Sequence, residues 1–185
     1  GMLSAAGGGH DPCDQTKYLN VWVCNYPDGL LGKGSCPGMP NQGVRCHYRA
    51  FGSTGTLSAP YDEGRTMVHE VGHYLNLNHI WGDDGTDCTG TDNVADTPNQ
   101  ADETYGVPAF PQVSCSNGPN GDMFMNYMDY TDDAGMFMFT AGQSERMDAT
   151  LHTARTGLLA SDGLVPTTGA VNDLWAKDTS DDAGA

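Results

Sequence analysis

The sequence predicts a single α/β (α+β) domain, strands first and helices after. Three features carry that reading: a period-two alternation over residues 18–26, a helix-period stripe over 62–75, and a capping signature at Thr140 that opens a last helix. The 185 residues suit one domain of ordinary size or a pair of tightly joined subdomains. Gly (25) and Pro (10) are numerous enough that loops must take up much of it.

Residues 1–16 carry Gly7-Gly8-Gly9 and no apolar periodicity, so they read as a loose lead-in to a domain over 17–165. Gly1 ahead of Met2 reads as the remainder of a cleaved tag. Over 18–26, Leu19, Val21 and Val23 face one way and Tyr18, Asn20, Trp22 and Cys24 the other, which describes a strand ended by the turn Pro27-Asp28-Gly29. A Gly/Pro-rich connection over 29–43 leads to a second strand at 44–51. Arg45, His47 and Arg49 share one side of it, which predicts an edge strand with one wet face.

From 62 to 75 the period becomes helical, with Val68, Val71, Gly72 and Leu75 forming one stripe. A long acidic loop follows, over 80–122, of a length that is uncommon in a compact domain unless functional or pinned. A Cys88–Cys115 bridge or bound cations could pin it. In the last helix, Thr140 and Gln143 have the spacing of a capping box, and Met147, Leu151, Ala154 and Leu158 continue at helical spacing. Residues 166–185 read as an acidic tail or linker.

Charge and hydropathy exclude whole classes of function. Eight Lys+Arg against 24 Asp+Glu leave a net charge of −16, which argues against a binder of nucleic-acid phosphates. No apolar run approaches the ~20 residues of a membrane span. Six cysteines without a C-x-x-C pair disfavour a cysteine-ligated zinc site and hint at an oxidising compartment, free buried thiols being the alternative.

The chemistry is concentrated in His69-Glu70-Val71-Gly72-His73, an H-E-x-x-H run on the predicted helix. Spacing i, i+4 stacks the two imidazoles on one face, so both can reach one metal. Glu70 sits beside them, placed to move a proton rather than to bind. A third histidine, His79, follows six residues on. Three imidazoles with an open fourth position are the donor set of a catalytic zinc, which activates a bound water. His10, His47 and His152 read as surface or structural.

The extended run is similar to the metzincin signature H-E-x-x-H-x-x-G-x-x-H followed by a Met-turn. Asn76 stands where that signature has glycine, at a turn that needs positive φ, and Asn is the side chain that best tolerates it. Asn126-Tyr127-Met128-Asp129-Tyr130, with Met128 49 residues past His79, resembles the Met-turn. Within the metzincins the chain most resembles the pappalysin family over about residues 17–160, also through Asp96-Thr97-Pro98 and Phe139-Thr140-Ala141-Gly142-Gln143.

The resemblance implies a zincin catalytic domain. In it a twisted, mostly parallel sheet and an active-site helix form an upper part, to residue 79. A lower, irregular part, 80–165, ends in a helix. Such domains carry two strands and a backing helix ahead of the strand at Tyr18, and neither these nor an inhibitory pro-segment is recognisable in 1–16. The resemblance further implies a zinc endopeptidase in which His69, His73 and His79 hold the metal and Glu70 is the general base. Met128 would floor the site and Tyr130 would hydrogen-bond the oxyanion. The strand at 44–51 would pair with an extended substrate.

The same resemblance supports the Cys88–Cys115 bridge, leaves three pairings open among Cys13, Cys24, Cys36 and Cys46, and points to secretion. It also supports Ca²⁺ in the acidic loop, with Asp92, Asp96 and Thr97 as candidates; a solvated acidic surface is the other reading. No Lys or Arg lies between Arg65 and Arg146, a field that would favour a protein or peptide substrate with basic residues near the cleaved bond. A non-catalytic zinc module and a hydrolase of non-peptide amides are the rival functions.

Overall fold

The computed structural model describes residues 2–26, 29–163 and 165; the tail expected over 166–185 lies outside them. Ahead of the sheet the chain makes one 3-10 turn, Ala5–Gly7. The sheet then has three strands, β1 (Val21–Cys24), β2 (Gly32–Gly34) and β3 (Val44–His47), in the order β1-β3-β2. β1 runs parallel to β3, with Val21 opposite Val44, and β2 runs antiparallel to it, with Lys33 opposite Arg45.

The edge-strand reading of 44–51 is therefore corrected: β3 is central, and it ends at His47 in a 3-10 turn, Tyr48–Ala50. Alternating charges report which face of a strand is wet, and they carry no information about whether its backbone edges are paired. Val44 and Cys46 are fully buried while Arg45 and His47 are partly exposed, so the two-sided pattern itself holds. The edges are β1 and β2, and β2 lies inside the stretch expected to be a connection. Its sequence, Gly-Lys-Gly, has no alternation to read, for a reason that comes from packing. A Cβ on Gly32 or Gly34 would collide with the Glu70 side chain or backbone, so only glycine lets this strand lie against the helix beneath it.

That helix, α1 (Arg65–Tyr74), packs on β2 and β3. The apolar stripe identifies the helix but not its innermost face. Thr66, His69, Glu70, Gly72 and Tyr74 are buried, while Val68, Val71 and Leu75 are only partly so. Beyond α1, residues 80–122 hold no helix or strand among the described residues, and the Cys88–Cys115 disulfide joins the loop across 27 residues. Cys13, Cys24, Cys36 and Cys46 are free thiols.

The last helix opens as predicted. In α2 (Ala141–Leu151) the Thr140 hydroxyl accepts the Gln143 N–H and the Gln143 side chain accepts the Thr140 N–H. The helix does not run unbroken through Ala154: it stops at Leu151 and resumes as a short α3 (Thr156–Leu159). Leu77, Ile80, Trp81 and Met128 form the buried cluster below α1, with Met123, Tyr130, Phe139 and Met147 packed against it.

Candidate metal centre and cleft

α1 supplies His69, Glu70 and His73 from its buried side, and the chain must reverse to bring in His79. It does so through both bonds of a Schellman ending: Leu77 N–H to Gly72 O at 2.9 Å and Asn76 N–H to His73 O at 2.9 Å. Asn76 occupies the left-handed position, at φ 73°, as the sequence required. The outcome is that one ligand nitrogen from each of His69, His73 and His79 lies within 4.8 Å of the others.

Each ring is oriented through its other nitrogen. His69 Nδ1–H donates to the Tyr127 carbonyl at 2.7 Å, and His73 Nδ1–H to the Leu77 carbonyl at 2.9 Å. His79 Nδ1–H donates to the Asp83 carboxylate at 2.7 Å. Carbonyls can only accept, so the proton sits on Nδ1 and each Nε2 presents a lone pair to the centre. Two of these, on His73 and His79, are 3.0 Å apart. Facing lone pairs at that distance repel unless a cation lies between them, so the donor set fits a zinc ion.

Burial keeps the rings neutral. It pushes His69 well below the ordinary histidine value, and together with the neighbouring His79 it pushes His73 down to about 4. His79 is also lowered by burial, against the pull of Asp83. Because the folded values are depressed, these groups favour the folded state above about pH 6.5, and for His73 that contribution is lost as the pH falls through about 4. Apparent zinc affinity, measured by chelator competition, should therefore be flat above pH 6.5 and fall only as the pH approaches the histidines' lowered values. A release centred at 6.5 would contradict this.

Glu70 is 6% exposed, and its carboxylate accepts the Gly34 N–H of β2 at 2.5 Å. Burial raises its pKa to about 7, opposed by that hydrogen bond and by Arg45 and Lys33. Met128, the residue expected to form the Met-turn, is fully buried under the helix, and a Cβ on Gly72 would overlap its sulfur, so Met128 and α1 are in direct contact. Tyr130 lies 5.6 Å from His69 and 5.0 Å from His79 between ring centroids, and burial pushes its phenol up to about 12, so it keeps its proton.

Several contributors escaped the sequence reading. Trp81 stacks on His79, at 4.2 Å between centroids and 7° between planes. Asn126 and Gln143 exchange side-chain hydrogen bonds at 2.7 and 3.1 Å, and Asn126 also accepts the Met128 N–H. Both residues lie inside motifs already singled out, but nothing in their spacing pairs them. Beside Glu70 a cavity of about 300 Å³ is lined by Leu30, Leu31, Tyr61, Arg65, Tyr105, Asp129, Asp133 and Met136, among others.

The three calcium candidates are engaged by the protein itself. Both Asp92 oxygens accept the Thr97 hydroxyl, at 2.8 and 2.9 Å. Asp96 accepts the Thr140 hydroxyl at 2.7 Å and the Gly142 N–H at 2.9 Å, at the start of α2.

The profile of the pregnancy-associated plasma protein-A peptidase family matches residues 9–152. The chain belongs to this family, the pappalysins. It is 38% identical over 145 residues to an extracellular metalloprotease of Arthroderma benhamiae, covering 75% of this chain and 52% of that one. Extracellular metalloprotease 1 of Coccidioides posadasii is 39% identical over 147 residues, covering 75% and 51%. Mature mirolysin of Tannerella forsythia, solved with a cleaved peptide, superposes with a TM-score of 0.82 at 48% identity, covering 85% of this chain and 62% of that one. The chain thus spans about half the length of the curated pappalysin relatives it matches. Metalloprotease membership implies zinc, and the three histidines are the residues that could hold it. Among the described residues no helix is long and apolar enough to cross a membrane.

Proposed function

We propose that residues 17–165 form a zinc endopeptidase domain that hydrolyses internal peptide bonds of proteins outside the cell. The observation that carries the reading is the division of labour around one centre. Three neutral imidazoles converge, while a buried carboxyl beside them, Glu70, stays out of the triad on a backbone N–H. Bound to His69, His73 and His79, zinc supplies Lewis-acid polarisation of the scissile carbonyl and of water. Glu70 takes the proton of the attacking water and returns it to the leaving amine. Tyr130, protonated at neutral pH, donates to the developing oxyanion.

The substrate lies along β2, the one of the two edge strands whose flanking residues line the cleft with Glu70. This replaces the pairing strand expected at 44–51. A structural zinc module has no use for a buried base, which counts against the non-catalytic rival. Casein digested with and without phenanthroline tests the reading; no cleavage by the zinc-loaded chain would refute it.

The cavity favours a basic side chain beside the cleaved bond. Asp129 and Asp133 are buried in its wall, and Tyr61 and Tyr105 also line it, which offers aromatic surface to an aliphatic stem. Arg65 opposes this, but Glu63 lies 3.7 Å from it and offsets part of its charge. In a peptide library Asp133→Asn should lower the preference for Lys and Arg over neutral residues.

Calcium on Asp92, Asp96 and Thr97 would have to compete with the hydroxyl and backbone donors already on those carboxylates. If it binds there, EGTA should lower the melting temperature of the zinc-loaded protein; an unchanged melting curve removes calcium from the account. Secretion agrees with the extracellular relatives and with the Cys88–Cys115 bridge.

A further inference from the structure

The chain has 24 acidic and eight basic residues, yet four of its five arginines, Arg146 and Arg155 among them, form no ion pair among the described residues. Arg155 is 7% exposed. Its Nε donates to the Tyr74 carbonyl at 2.7 Å, and an Nη donates to the Ser35 carbonyl at 2.9 Å and to Gln42 Oε1 at 2.5 Å. The guanidinium also lies 3.4 Å from the centre of the Tyr74 ring. Arg146, on α2, donates through Nε to the Asn76 carbonyl at 2.6 Å and through an Nη to the Asn93 carbonyl at 3.5 Å. Taking the Arg155 guanidinium out of water and giving it neutral oxygens in place of a carboxylate is costly, and Arg146, partly buried, likewise has only carbonyl partners, so the arrangement calls for an explanation beyond packing.

Both arginines converge on one short piece of backbone, the turn between the second and third histidines. The Schellman bonds use the carbonyls of Gly72 and His73, and the Leu77 carbonyl orients the His73 ring. Arg155 takes the Tyr74 carbonyl and Arg146 the Asn76 carbonyl, the helix end and the left-handed residue respectively. The positive charges also meet the negative end of the α1 dipole. Arg155 ties this turn to Ser35, next to the Gly34 that holds Glu70, and Arg146 ties it to the acidic loop at Asn93.

We propose that Arg146 and Arg155 are positioning residues of the metal centre: they fix the turn at Tyr74–Asn76 and so set where His79 stands relative to His73. The inference rests on the reading of the three histidines as ligands. The test is zinc affinity by chelator competition on folded protein, for the wild type, R146M, R146K, R155M and a destabilised control, L151A. R146M and R155M should bind zinc about tenfold or more weakly, the scale seen when the groups orienting metal ligands are removed. R146K, which keeps a charged donor, should recover most of the loss, and L151A should bind as the wild type does.

Should R155M fail to fold, R146M and R146K decide. Folded R146M with wild-type affinity overturns the proposal, as does an equal loss in L151A, which would make the effect one of general stability. A wild-type chain that takes up no zinc defeats the functional reading as well, and is thereby distinguished from failure of the arginine proposal alone.

Discussion

Glu70→Ala should retain its zinc and lose peptide cleavage by about 10²- to 10⁴-fold, the range a positioned general base supplies. The two halves of that expectation come from different features. Zinc retention follows because the proposed metal donors are three rings, each fixed by a carbonyl or by Asp83, and none of these contacts passes through the Glu70 side chain. Loss of cleavage follows because Glu70 is a carboxylate beside the triad, held on β2 with its pKa raised to about 7. A raised carboxyl pKa favours the folded state below the ordinary value of 4.5, and that contribution disappears as the pH rises through about 7. The base is thus held at a cost to stability at working pH, and the Ala variant should melt no lower than wild type near pH 8. Metal analysis, a fluorogenic peptide assay and a melting curve check all three points. Persistent cleavage at wild-type rate would remove Glu70 from the chemistry.

Asn76→Val should weaken zinc binding at least tenfold, while Asn76→Gly should leave it intact. At φ 73° a β-branched side chain meets its own backbone, a strain of about 1–2 kcal/mol for an ordinary L-residue and more for valine. The chain can relieve it only by leaving the left-handed region, which breaks the Leu77-to-Gly72 and Asn76-to-His73 bonds and swings His79 away. Glycine carries no such penalty. The Val variant should also melt about 2–8 °C lower, given the usual conversion for a domain of this size. Full zinc occupancy in a folded Val variant would mean that the turn does not control the third ligand.

The candidate metal centre was more legible in the sequence than the sheet that holds it. His69, Glu70, His73 and His79 are readable because one helix and one turn place them, so spacing along the chain is close to spacing in the molecule. Asn76 was readable for the same reason, its role being a local backbone angle. The Thr140–Gln143 capping box is equally local. β2 was missed because its glycines are dictated by contact with Glu70 from another element, and period-two counting has nothing to count in Gly-Lys-Gly. The apolar stripe of α1 does not mark its buried face, because a helix that carries a candidate metal site turns polar groups inward, against the rule that apolar stripes face the core. The pairing of Asn126 with Gln143 and the reach of Arg155 to Tyr74 span 17 and 81 residues, and single-sequence patterns do not encode partners at such separations.

The start of α2 has a wider consequence. Gln143 closes the cap on Thr140 and at the same moment grips Asn126, while Thr140 and Gly142 receive Asp96 from the acidic loop. One helical turn therefore stitches together the floor beneath the imidazoles and the loop beside them. A truncated fragment ending before residue 140 would contain every proposed ligand and the base, yet it would lack the clasp that gives them a common scaffold. Such a fragment should behave as a loose histidine peptide, and domain-boundary engineering in this protein has to respect a limit some sixty residues beyond the last proposed ligand, His79.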